Sequence, residues 1–376
     1  MNKISIADCC EILDSQRVPI TASKRVSGPY PYYGANGIQS YVSDYIFDDE
    51  LVLLAEDGGD FGSKTKPIAY RVSGKCWVNN HAHVLKPKEM MDVDFLCYSL
   101  MFYNTEGLVN GATRKKLTQS AMRKMSIPNL SLDEQVQVVE KLNTLRNTID
   151  KQRLEMKLMD DLIKARFIEM FGDPIENPMC WPVKPLKEMS TLITNGNTPK
   201  GGSENYVESG IIFLRSQNIW RNRIELDDVA YIDEKTHNKM KKSSLHYKDI
   251  LITKTGRINT ENSSLGRAAL YLGEEDQANI NGHVYLVRLD SSMVPEFVVT
   301  ILTGEAYRKY IRKVCVGGID KRQINVDQVE SFPIISPSIE LQKEFVNFRK
   351  QVDKSKFDEQ KWSNVNVLMY SMIKRS

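Results

Sequence analysis

The residues best suited to chemistry are two histidines one position apart, His81 and His83, in the stretch "NNHAH". Side chains alternate along a strand, so both imidazoles would point to one face, as a metal or histidine-nuclease site needs. A second candidate, Glu155-Met156-Lys157, has the E-x-K spacing of some metal nucleases. Neither holds. A related stretch, "NGHVY", places His283 and Tyr285 at the same two positions, so the histidine pair is not repeated. One asparagine and one histidine at each place suit a polar contact or a structural hydrogen bond. Glu155 and Lys157 fall in a long helical pattern with no acidic partner on a strand. The chain has no G-x-x-x-x-G-K-[ST] loop and no strand–G-x-G-x-x-G–helix unit, which leaves nucleotide hydrolysis and dinucleotide binding without support. The Asn-Pro-Pro-aromatic motif that holds a flipped base in amino-methyltransferases is also absent. No catalytic residue and no metal ligand is expected.

What remains is a set of polar loops, occurring twice. In "YPYYGANGIQ", Tyr32, Tyr33, Asn36 and Gly37 surround a predicted hairpin turn at Asn36-Gly37, where both residues tolerate positive φ. Their counterparts are Arg215, Gln217 and Asn218. Asp57, in the glycine turn that ends "ELVLLAEDGG", belongs to a loop, 56–60, matched by 254–257 with Lys254 and Arg257. Asn80 and His81 lie in "NNHAHVLK", which from Asn79 matches "NGHVYLVR" from Asn281, so that Asn281 and His283 are the second-half candidates. The basic run Arg114, Lys115, Lys116 is matched by Lys321 and Arg322. Asn and Gln can read adenine edges, Arg and Lys guanine edges, and Tyr or backbone amides can hold phosphates. Each loop alone reads as ordinary surface. Carried twice, they predict a protein that reads two separated sites on DNA.

The elements that must position these loops are themselves duplicated. "NGATRKKLTQSAMRKMSIPNLSLDEQ" (110–135) aligns without gaps to "GGIDKRQINVDQVESFPIISPSIELQ" (317–342), a displacement of 342 − 135 = 207. Gly111 falls on Gly318, Lys115 on Arg322, Leu117 on Ile324, and Gln135 on Gln342. "ELVLLAEDGG" and "DILITKTGR" read as matching strands ending in glycine turns, and "FLCYSLMF" and "FVVTILTG" as matching short helices. The expected fold class is mixed α/β, with two globular recognition domains at 1–130 and 185–337. Each is followed by a long helix, 131–172 and 338–376, with a Pro-rich linker at 173–184.

Both helices carry heptad seams. Val138, Leu142, Leu145, Ile149, Met156, Met159, Ile163 and Met170 step by 4 and 3, with Gln152 and Arg166 as polar exceptions. Ser131 with Asp133 and Glu134 predicts a capped, acid-rich first turn, and Gly172-Asp173-Pro174 a stop. The second seam runs Leu341, Phe345, Phe348, Val352, Trp362, Met369, Ile373, with a more polar middle at Ser355 and Glu359. Neither rod can bury its stripe alone, so an antiparallel coiled-coil pair is expected, relating the halves by a pseudo-twofold axis.

Bulk properties agree with a globular protein of two domains: 376 residues, 41% hydrophobic and 26% charged. The net charge of +3 does not by itself argue for nucleic-acid binding. Six cysteines without C-x-x-C spacing predict reduced thiols and no zinc site. No apolar run is long enough to span a bilayer and no secretory h-region is present, which points to the cytoplasm.

Ordered along the chain, "YPYYGANGI", "EDGGDFG", "NNHAHVLKP", "NGATRKKL…IPNLSLDEQ" and "FIEMFGDPIENPMCWPVKPL" resemble blocks of the specificity (S) subunits of type I restriction–modification systems. The likeness covers nearly the whole chain. It implies two target recognition domains separated by two long antiparallel conserved helices, and no catalytic activity. It implies recognition of a bipartite double-stranded DNA sequence on behalf of two methyltransferase (M) subunits. S-adenosylmethionine would bind those subunits, while ATP and Mg would serve added restriction (R) subunits; this chain would bind no cofactor. The helices and adjoining domain faces would dock the M subunits. The second half departs from the first, with "IFLRSQNIW" in place of "YYGANGI", so the two halves should read different half-sites. Two other functions would fit the residues: a nuclease using His81 or His283, and a solitary DNA-binding protein acting as a decoy.

Overall fold

The computed structural model describes residues 2–111, 114–199, 201–260 and 262–360. Thr113 and the seam positions Trp362, Met369 and Ile373 lie outside them. The chain is mixed α/β and divides into compact units, Met1–Met156 and Lys157–Lys356.

The first unit is built on a six-stranded sheet in the order Cys10–Ile12, Ala82–Pro87, Phe47–Ala55, Ala69–Val78, Tyr30–Gly34, Gly37–Val42. Its pairs are antiparallel except where Tyr30–Gly34 runs parallel to Ala69–Val78. The central strand is apolar without alternation from Leu51 to Ala55, because both of its faces are covered there. Val52 and Leu54 pack with Leu85, Phe95 and Leu96 on the side of the helix Val93–Met101. Leu51 and Leu53 pack with Val72, Cys76 and Val84 on the other. The turn at Asn36-Gly37 is corrected by one residue. Gly34 pairs with Gly37, so Ala35 and Asn36 form the turn, and only Gly37 has positive φ, at 103°.

The second unit repeats the plan. Ser190–Asn195, Val284–Leu289, Ile250–Thr253 and Ala268–Leu270 form a four-stranded sheet in that order. A three-stranded sheet, Ala230–Ile232, Ile211–Leu214, Ala278–Ile280, lies in the same unit. Ile250, Ile252, Tyr285 and Val287 face one cluster with Phe297 and Ile301 of the helix Pro295–Thr303, while Leu251, Val284 and Leu286 face another. The six cysteines are free thiols, and all but Cys180 are buried.

The helix Leu132–Phe171 has 40 residues and is about 60 Å long at 1.5 Å per residue. Its start is a reciprocal cap: Ser131 N–H donates to Glu134 Oε2 (2.8 Å) and the Glu134 amide to Ser131 Oγ (3.4 Å). It stops at Gly172, whose φ of +73° and close approach to Pro178 Cγ leave no room for a Cβ. Every apolar seam position from Val138 to Met170 is buried or half-buried. Leu154, Leu158 and Leu162, off the seam, are exposed. Within the second unit the helix Ile339–Gln360 runs antiparallel to the end of this rod. Phe171 and Phe167 pack on Phe345, Arg166 pairs with Glu344 (3.1 Å), and Asp160 with Lys356 (2.7 Å), so one number rises as the other falls. No helix among the described residues is long and apolar enough to cross a membrane.

Candidate nucleic-acid interface

The two units carry the same loop scaffold, bond for bond. In the first, Glu56 N–H donates to the His81 carbonyl (2.9 Å) and Leu117 N–H to the Glu56 carbonyl (2.7 Å). In the second, Lys254 N–H donates to the His283 carbonyl (2.8 Å) and Ile324 N–H to the Lys254 carbonyl (3.0 Å). The Asn79 side chain accepts from His81 N–H (2.8 Å), as Asn281 does from His283 N–H (3.1 Å). Asp57 pairs across to Lys116 where Thr255 pairs to Gln323. The scaffold therefore brings each basic run beside the glycine loop that follows the central strand.

In the first unit this creates a cavity of about 160 Å³ lined by Asn36, Gly37, Asp57, Gly58, His81 and Arg114, with Ala35, Ile38 and Gln39. Five of the sequence-derived residues thus share one site. Asp57 Oδ1 lies 2.7 Å from Arg114 Nη2 and 2.7 Å from His81 Nδ1. Asn36 Nδ2 donates to the Gly58 carbonyl (3.0 Å), locking the hairpin turn to the glycine loop. Asn80 and Lys115 are exposed alongside, and Lys116 is tied to Glu56 (3.0 Å). Tyr32 must be withdrawn as a surface contact. It is 1% exposed, its hydroxyl bonded to both Ile20 N–H and the Ile20 carbonyl, because its position on the strand points into the core. Tyr33 is half-buried against Tyr70.

In the second unit Gln217 and Arg257 line a cavity of about 350 Å³ with Trp220, Arg267 and the hydroxyls of Ser216, Thr260, Ser263 and Ser264. Arg215 and Gln217 are both held by Asp228, at 2.8 Å to its carbonyl and 2.7 Å to its carboxylate. Asn218 is a second correction: it is buried and shapes the loop, accepting from Arg215 N–H and donating to the Glu225 and Asp228 carbonyls. Arg257 sits 3.4 Å from Asp320, opposite Lys321 on the paired strand. Arg322 Nε donates to the Gly318 carbonyl (3.3 Å), and the Lys254 ammonium lies 5.7 Å over the Tyr285 ring. Asn281 and His283 sit at the turn between, with the His283 side chain exposed. Sequence reasoning missed Arg267, which stacks 3.9 Å over Trp220 while donating to the Ser263 and Asn262 carbonyls. Burial lowers its pKa. No spacing links Trp220 to Arg267; only the fold does.

The two histidines of "NNHAH" do different jobs. His83 is fully buried, with Nδ1 2.6 Å from Asp14 Oδ2 and Nε2 2.9 Å from the Leu117 carbonyl. Asp14, Glu56 and His83 lie close enough to hold a cation. They do not suit one. Both ring nitrogens already face oxygen acceptors, and Arg17 (2.6 Å) and Lys116 occupy Glu56. Burial raises the Asp14 carboxyl, but hydrogen bonds from His83, Val84 and Gln119 and the His83 charge outweigh it and lower its pKa. Glu56 is lowered likewise by Arg17, Lys116 and His83 against its burial. The equivalent of His83 explains the substitution seen in the repeat: Tyr285 donates its hydroxyl to the Ile324 carbonyl (2.9 Å), holding the same backbone point.

Residues 1–156 match the family model described as the type I restriction modification DNA specificity domain. A Haemophilus influenzae protein named as a type I restriction enzyme specificity subunit is 39% identical over 138 residues, 37% of this chain and 35% of that protein. The chain thus spans about a third of the length of that relative. A crystal structure of a type I restriction–modification S subunit from M. genitalium superposes with TM-score 0.57 at 13% identity, covering 99% of this chain and 94% of that one. A structure described as addressing complex assembly and conformational transition of the type I R-M system gives TM-score 0.53 at 15% identity, over 100% and 95%. At these identities the chain shares the fold of those two structures. The sequence likeness to that DNA specificity domain is carried by residues 1–156.

Proposed function

We propose that this chain selects a bipartite sequence in double-stranded DNA and carries methyltransferase and restriction subunits to it, without catalysing a reaction itself. The observation that supports this most is the scaffold built twice with different side chains on it. Asp57 and Arg114 stand where the second unit has Thr255 and Lys321, so the same backbone offers two chemically distinct readers. Lys115 and Arg322 serve as phosphate contacts, which position the protein without carrying sequence information. S-adenosylmethionine belongs to the M subunits, ATP and Mg to the R subunits, and the assembly works in the cytoplasm. The exposed ladder Leu154, Leu158, Leu162 repeats every four residues and offers M subunits an apolar docking stripe.

The test is co-expression with the cognate M subunit. Co-purification and site-specific methylation of duplex DNA, absent when either subunit is missing, is the expected result. Binding of DNA by the chain without any M-subunit association would favour a decoy, and metal-dependent cleavage by the isolated chain would favour a nuclease. Either would overturn the proposal.

A further inference from the structure

The Arg114 guanidinium is braced from one side and seated from below, yet most of it faces solvent. Asp57 Oδ1 accepts from Nη2 at 2.7 Å, and that carboxylate is itself largely covered and approached by His81. Beneath the guanidinium lies Gly58, where a Cβ would come within 3.3 Å of Nε and Nη2. Gly58 is fixed through its carbonyl to Asn36 and through its N–H to the Lys115 carbonyl (3.3 Å). The Arg114 side chain is still 60% exposed, at the rim of the cavity.

A contact to phosphate needs charge and little orientation. A neighbouring carboxylate works against it, since Asp57 cancels part of the cation's charge and repels the phosphate's own. What the carboxylate does provide is a fixed plane for the fork. Of five N–H donors, one is spent on Asp57, which leaves a parallel pair to donate outward. In the major groove a guanine offers two adjacent acceptors, O6 and N7, to such a pair.

We propose that Arg114 reads a guanine in the half-site of the first unit, with Asp57 as its brace and Gly58 as its seat. This rests on the chain being a DNA specificity subunit, as proposed above. At the aligned positions the second unit has Lys321 in place of Arg114 and Thr255 in place of Asp57, and the nearby Arg257–Asp320 pair, 3.4 Å apart, is well exposed on both sides and fixes no plane. Lys115, exposed and next to Arg114, takes the phosphate role.

The experiment uses the full chain assembled with its M subunit and a randomised duplex library, selected for binding at several salt concentrations. Arg114→Gln and Arg114→Lys should each lose about tenfold or more discrimination at one guanine of one half-site, with the slope of affinity against salt unchanged. Asp57→Asn should relax the same base less. Lys115→Gln should keep the selected sequence and flatten the salt slope. An unchanged sequence with a flattened slope in the Arg114 variants would make Arg114 a phosphate contact and overturn the proposal. So would a first half-site without a G·C pair. A wild-type complex that selects no sequence would instead sink the specificity-subunit reading, and this inference with it.

Discussion

Asp14 and His83 set the chemistry of the first unit at the level of single residues. Their buried contact is shared with Glu56, Arg17 and Lys116, and His83 fixes the Leu117 carbonyl at the end of the basic run. The pKa values of Asp14 and Glu56 are lowered in the folded protein. A lowered carboxylate stabilises the fold above its unfolded pKa of about 4 and loses that contribution as pH falls through the lower folded value. Thermal melting of the full chain should therefore decline below pH about 4, and Asp14→Asn should both lower the melting point at pH 7 and blunt that decline. The cost at pH 7 is about 2 kcal/mol, since the buried groups that meet the Asp14 carboxylate, His83, the Val84 N–H and Gln119, lose acceptor oxygens. A steep acid decline retained in Asp14→Asn would assign it elsewhere. At this scale the sequence was only partly legible. Tyr285 in place of His83 argues against a histidine pair, but the role of His83 and its partners could not be named without the fold. Tyr32 misled for a physical reason: tyrosine has an apolar body and a polar tip, and serves a core or a surface equally well.

Among the elements, the junction between each globular part and its helix is made by one buried glutamine. Gln135 Oε1 accepts from Asp92 N–H (2.8 Å) and its Nε2 donates to the Met90 and Leu130 carbonyls. Gln342 does the same with Val294 N–H (2.9 Å) and the Pro337 carbonyl (2.9 Å). Each clamps the first turn of a rod to the start of a short helix, Val93–Met101 or Pro295–Thr303. Gln135→Ala and Gln342→Ala should each cost about 2 kcal/mol in denaturant titration, because buried amide and carbonyl partners lose their bonds. A loss below about 0.5 kcal/mol, the level of an ordinary surface change, would contradict the clamp. The two glutamines align in the sequence, yet alignment alone gave them no role, since the N–H groups they accept from, of Asp92 and Val294, lie 43 and 48 residues earlier. The heptad seam of Leu132–Phe171 was legible at every apolar position. Its period is local, and a stripe every 3.5 residues has few alternatives to burial. Site geometry was less so: Asn36, Asp57, His81 and Arg114 were all selected as polar loop residues, but their convergence on one cavity depends on long-range pairing.

For the whole molecule, two expectations follow from the proposed function. Leu158→Glu places a charge in the exposed ladder without touching the seam. It should abolish co-purification with M subunits while leaving the melting point of the isolated chain within about a degree or two, given the small effect of surface changes. Retained assembly would move the docking surface off this stripe. The more direct measurement is a map of methylated sites in cells that carry the M subunit with wild-type chain, with Arg114→Gln, or with Gln217→Ala and Arg257→Ala together. A two-part sequence with an indifferent spacer is predicted, one part relaxing in the first variant and the other part in the second. A single contiguous motif, or both parts changing together in each variant, would contradict the claim that each unit reads its own half of the site.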